Sequence, residues 1–171
     1  MNRSILIQFF SFFVYILVQV VLFKNLVLFN TGFCFFYIAF ILLLPIETNS
    51  LVLMLLGFTM GFFIDIFYNS LGLHAFTLVL IGYIRNYWLA VITPQGGYDA
   101  GASPSMAEHG LQWFLVYTVP LVFLHHLTLF LVESAGFSLF WYSMLKTIGS
   151  LLFTLTILVV LQYLSPRRRR I

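Results

Sequence analysis

An apolar sequence shows its chemistry through the few polar side chains it keeps. Asp65 closes the run Gly57-Phe58-Thr59-Met60-Gly61-Phe62-Phe63-Ile64-Asp65. Gly57, Gly61 and Asp65 stand four apart, so a helix stacks them on one stripe. Two glycines at that spacing let a neighbouring helix approach backbone to backbone. A carboxylate on the same stripe is costly in lipid unless it pairs, meets protein or faces water. The stripe therefore faces the core or a partner; the plainer reading is a tight helix hairpin with a snorkelling Asp65. His125-His126 supply side chains that titrate near neutral pH, which would suit a proton relay. Adjacent helical positions diverge by about 100°, so the two rings are expected at separate structural contacts rather than one site.

Other chemistry is sparse. Glu133 lies seven residues beyond His126 and shares its face; an enzyme or proton channel built on these residues is one reading, although polar groups at a helix end normally meet water. No carboxylates cluster at metal-ligand spacing. No nucleophile–base arrangement or Gly-rich phosphate loop is present. The sequence thus implies neither cofactor nor catalysis. Cys34 is the single cysteine; it excludes an internal disulfide and reads as a small buried hydrophobe.

The elements that must position these residues are set by composition. Of 171 residues, 62% are hydrophobic and 8% charged, against about a quarter charged in soluble domains. Such a chain cannot cover a water-facing surface. It is expected to be an all-α integral membrane protein, one polytopic domain over 1–171. At about 20 residues per crossing, it holds about six transmembrane helices. Trp88, Trp113 and Trp141 flank apolar runs, where interfacial aromatics belong.

In chain order, the first spanning helix covers Ser4 to Phe23, with Gln8, Tyr15 and Gln19 near a face that meets other helices. The second runs from Phe33 to Ile46; fourteen residues is short for a crossing, so it is tilted or extends back through Leu26–Phe29. Glu47-Thr48-Asn49-Ser50 supplies N-cap chemistry. The third helix covers about Ser50 to Tyr68, and Asn69-Ser70-Leu71-Gly72 turns the chain into a fourth, ending near Ile92. A polar stretch, 93–110, is expected to be a flexible loop. The fifth helix, about Leu111 to Glu133, should kink at Pro120. The sixth, from near Phe137 to Leu164, carries Lys146. A basic tail, 165–171, contains Arg167, Arg168, Arg169 and Arg170.

Six helices place both termini on one side, and the positive-inside rule puts Arg3, Arg85 and the arginine tail on the cytoplasmic side with the 93–110 loop, and Lys24 outside. The tail lacks a folded basic face, which argues against nucleic acid; it reads as a topology signal beside anionic lipid. Helix rise then places Asp65 about 5 Å from the outer end of its helix and Lys146 roughly 10–13 Å below the outer surface. Lys24 and Glu133 join them in one outer layer. Shared depth predicts an Asp65–Lys146 pair, with Lys24 as the second choice and independent snorkelling as the alternative.

The run from Gly57 to Asp65, followed by Ser70-Leu71-Gly72-Leu73-His74-Ala75, resembles the central motif of the rod shape-determining protein MreD family. Length, the short second helix, six spans, Tyr83 and the basic C-terminus are similar to that family as well. Asn30-Thr31-Gly32-Phe33 departs from it, since members often carry a Pro there. The resemblance implies a bacterial inner-membrane component of the cell-elongation machinery with no catalytic activity. It implies work beside MreC, the MreB filament and the peptidoglycan synthases of the rod complex, and a fold similar to the substrate-binding subunits of energy-coupling-factor transporters. Gly57, Gly61, Asp65 and Gly72 would then form a helix-packing or partner interface in a membrane scaffold. The alternative is a transporter subunit that binds a vitamin-type molecule. Against it, the first helix lacks a small-residue docking patch, and the sequence shows no polar pocket residues.

Overall fold

The computed structural model describes residues 3–135 and 139–164. It is mostly helical, and four helices are long and apolar enough to cross a membrane, which marks a membrane protein. Helix α1 (Arg3–Val18) widens into a π-turn over Gln19–Phe23, closed by the Lys24 N–H donating to the Gln19 carbonyl at 2.8 Å. A two-stranded hairpin follows, β1 (Val27–Leu28) against β2 (Gly32–Phe33), antiparallel with Val27 opposite Phe33. A five-residue helix α2 (Ile38–Leu42) precedes α3 (Ser50–Tyr68), α4 (Leu73–Val91), α5 (Met106–Glu133) and α6 (Phe140–Leu164).

The expectation of six spanning helices meets a different architecture. Residues 33–44 do not form a spanning helix. They enter as strand β2, continue non-helically to Tyr37, and close with the single turn of α2. Every residue from Cys34 to Leu42 is buried. At one end the segment bonds to Gln19, at the end of α1. At the other it bonds to Arg85, near the end of α4. It therefore runs the length of the bundle interior. Non-helical backbone is tolerated at such depth only where protein, not lipid, meets its polar groups.

Side chains supply those partners. The Gln19 carboxamide donates to the Cys34 carbonyl at 3.0 Å and accepts the Tyr37 N–H at 3.3 Å, as a neighbouring strand would. Ser150 and Thr154 of α6 accept the N–H groups of Phe33 (2.9 Å) and Phe35 (3.2 Å). At the far end the Arg85 guanidinium clasps the Leu44 carbonyl, while its Nε donates to the Tyr117 hydroxyl at 2.8 Å. Tyr117 passes its own hydrogen to the Leu42 carbonyl at 2.8 Å. Arg85 is fully buried. It is thus a structural clasp, its charge met inside the protein.

Helix α4 has the length of a span, but His74, Thr77, Arg85 and Asn86 lower its apolarity, and all four have partners inside the protein. Asn49 caps α3, its side chain accepting the Leu51 N–H at 2.8 Å, as the sequence implies. Proline 120 does not break α5. The non-helical residue there is Gly110 (φ 82°, ψ 166°), which separates a turn at 106–109 from the main helix. Pro120 has no N–H, so the Val116 carbonyl is released from the helical ladder; the Trp88 indole donates to it at 3.2 Å. The 93–110 stretch, expected to be a flexible loop, is tied to the body. Ala102 accepts the Ile46 N–H at 3.0 Å and is buried, and the Tyr98 hydroxyl donates to the Leu89 carbonyl at 3.1 Å.

Candidate functional site

The α3–α4 hairpin builds the first part of the site. A Cβ on Gly61 would lie 2.3 Å from the Ala75 Cα, and one on Gly57 2.8 Å from the Leu78 carbonyl oxygen. Gly82 of α4 meets Leu53 in the same way, at 3.0 Å. Gly57 and Gly61 therefore pack against this chain's own α4, not a partner. Gly72 does not pack at all: a Cβ there would meet nothing within 4 Å. Its φ of 80° at the start of α4 is what calls for glycine. Asn69, at φ 56°, takes the left-handed turn that ends α3, a conformation asparagine tolerates.

This turn swings the first residues of α4 over Asp65. The carboxylate accepts the Ser70 hydroxyl at 2.5 Å and the backbone N–H groups of His74 (3.0 Å) and Ala75 (2.9 Å). These N–H groups belong to the first turn of α4, where unpaired donors and the helix dipole favour an anion. Asp65 is buried, and three donors replace the water it has lost.

The expected Asp65–Lys146 pair does not form. Lys146 Nζ instead meets Glu133 at 3.1 Å and lies over the Phe33 and Phe130 rings. Lys24, the second choice, donates to the Phe67 carbonyl at 2.6 Å. Two causes account for this. Asp65 is satisfied by donors from its own hairpin, and the short α5–α6 connection brings Glu133 to Lys146. Of the four charges expected in one outer layer, Lys24 and Glu133 line one cleft of about 630 Å³, with Ser70 and His74. The arginines 167–170 lie outside the described residues.

Beneath the cleft runs a chain of buried polar groups. The Tyr37 hydroxyl lies 2.7 Å from His74 Nδ1 and 3.1 Å from His125 Nε2, which is also 3.3 Å from Thr77 Oγ1. His125 Nδ1 is 3.4 Å from His126 Nδ1, and His126 Nε2 is 3.0 Å from Thr154 Oγ1. The two histidines thus belong to one site, contrary to the expectation of separate contacts. Their Cβ directions do diverge, but protein covers both sides of α5. His125 turns toward Tyr37 and Thr77, His126 toward α6, and the rings meet edge to face at 5.2 Å between centroids.

Donor chemistry gives the chain a direction. A carbonyl only accepts, so His126 Nδ1, 2.7 Å from the Val122 carbonyl, carries the hydrogen. With the rings neutral, His126 Nε2 accepts from Thr154. His125 Nδ1 faces the His126 N–H and is bare, so its Nε2 donates to Tyr37 and Thr77. Thr77 spends its own hydrogen on the Leu73 and His74 carbonyls, each at 3.1 Å. Tyr37 then donates to His74 Nδ1, leaving the hydrogen of His74 on Nε2. No described residue accepts it.

The sequence pointed to Asp65 and the two histidines but not to Gln19 as a backbone mimic, nor to Tyr37, Thr77 or Thr154. One signal was available. Ser143, Thr147, Ser150 and Thr154 recur at helical spacing in α6, and all are buried. Among the described residues, no three His, Cys, Asp or Glu side chains are arranged to hold a metal ion. Comparison with protein-family models, curated proteins and solved structures finds no match for this chain.

Proposed function

We propose that this chain is a non-enzymatic scaffold of the bacterial cell-elongation complex, a member of the MreD family. It would sit in the inner membrane with both termini cytoplasmic and cross it six times, the broken 33–44 segment serving as the second crossing. Its partner would be MreC, with MreB and the peptidoglycan synthases bound directly or through it, and anionic lipid at its basic tail. The observation that carries the reading is that the residues of the resemblance act as one device. Gly57 and Gly61 admit α4, Asn69 and Gly72 turn the chain, and Asp65 caps the helix that returns. Because that device closes within the chain, partners would be met by other surfaces.

Co-purification from native membranes in mild detergent tests this reading. A tagged chain should recover MreC or a peptidoglycan synthase in stoichiometric amount. Asp65→Asn and Gly61→Leu should lower recovery only as far as they lower thermal stability. Recovery of an ATPase pair with a coupling subunit would overturn the scaffold in favour of the second reading, a substrate-binding subunit of a vitamin-type transporter. The observation favouring that second reading is the cleft over His74, whose polar floor the sequence did not show.

A further inference from the structure

We propose that the cleft between the α3–α4 turn and the end of α5 is a binding site for a small organic carboxylic acid. Its volume of about 630 Å³ lies within the range of small-molecule sites, about 300–1,000 Å³. Its walls are chiefly apolar and aromatic, including Phe33, Phe35, Phe130 and Leu129. Such walls suit the body of an organic molecule and have nothing to offer an inorganic ion.

Two groups in the cleft call for an acceptor. His74 is 3% exposed, its Nδ1 occupied by Tyr37, and the direction of the buried chain leaves a hydrogen on Nε2 that no described residue accepts. Lys24 donates to a backbone carbonyl and forms no ion pair with a carboxylate among the described residues. The cleft's own carboxylate is engaged elsewhere: Glu133 is bonded to Lys146. Asp65, beside the cleft floor, is filled by three donors. An incoming carboxylate therefore finds one cation and one neutral N–H that neither Glu133 nor Asp65 holds. His74 and Lys24 are assigned as the ligand-binding pair. Tyr37, His125 and His126 are positioning residues, because they fix which His74 nitrogen carries the hydrogen.

The inference is independent of the scaffold reading, since binding is read on the purified chain and partner recovery on native membranes. The full chain would be placed in phosphatidylcholine nanodiscs and titrated with 4-(trifluoromethyl)benzoate, followed by fluorine NMR, with empty nanodiscs as the partition baseline. The neutral 4-(trifluoromethyl)benzyl alcohol serves as the comparison ligand. Benzoate should bind saturably above the baseline and at least tenfold more tightly than the alcohol. His74→Phe should weaken it by about tenfold, the scale of one hydrogen bond to a charged group. Lys24→Gln should weaken benzoate but not the alcohol. Tyr37→Phe should weaken benzoate several-fold. Lys24 is largely exposed, so its variant remains informative if His74→Phe fails to fold. Absence of saturable binding, equal affinity for acid and alcohol, or indifference to Lys24→Gln would each overturn the proposal.

Discussion

Asp65 shows what a buried carboxylate needs and how little of that is written in residue types. The sequence required it to be satisfied and offered Lys146. Its actual donors are a hydroxyl five residues on and two backbone N–H groups at the start of the next helix. Backbone donors carry no residue signature, so the partner was illegible although the need was plain. Lys146 found the half-exposed Glu133 instead. A double-mutant cycle separates the two pairings. Lys146→Met and Glu133→Gln should each cost less than about 1 kcal/mol, as partly exposed pairs do, and should couple to one another. Lys146→Met and Asp65→Asn should be additive within about 0.5 kcal/mol. Asp65→Asn alone should cost about 1–2 kcal/mol through the lost cap. Unfolding in nanodiscs checks all four values, and a coupling between Lys146 and Asp65 would contradict the pairing described here.

At the scale of elements, the α3–α4 hairpin was legible because glycine spacing and turn residues act locally. The contact is tight enough that Gly61→Leu must push Ala75 backbone aside. It should lower the melting temperature more than Asp65→Asn, and an unchanged melt would refute the close approach. The expected second helix, Phe33 to Ile46, was half legible. Fourteen residues is too few for a helical crossing, but an extended residue advances about 3.3 Å against 1.5 Å in a helix. The shortfall was itself the sign of a broken segment. What the sequence could not show is which side chains would satisfy it, because these come from the π-turn after α1 and from α4, α5 and α6. Thr154→Val should cost about 1–3 kcal/mol by stranding the Phe35 N–H, with Thr154→Ser close to wild type. Gln19→Leu strands two backbone groups and should cost more. Thermal melting of the three variants gives the order; equal melts for Thr154→Val and Thr154→Ser would mean that the hydroxyl does not hold the segment.

At the scale of the whole molecule, composition was enough for the class: a chain this apolar must lie in a membrane, and among the described residues four helices are long and apolar enough to cross one. The interior was harder to foresee. Apolar side chains face outward in quantity, with Phe10, Val14 and Leu17 of α1 and Val21 of the π-turn all more than half exposed. Polar ones gather inside, which inverts the pattern that period-based reading relies on in water. The 33–44 segment also sets a timetable. Its N–H groups at Phe33 and Phe35 are emitted early in synthesis, yet the hydroxyls that receive them lie 117 and 119 residues later in the chain. Until α6 leaves the ribosome, these two N–H groups lack the hydroxyls that receive them, and bare N–H groups are costly in hydrocarbon. The segment is therefore completed only when α6 is in place. A chain cut short before α6 would strand bare backbone at the membrane, a ready substrate for quality-control proteolysis.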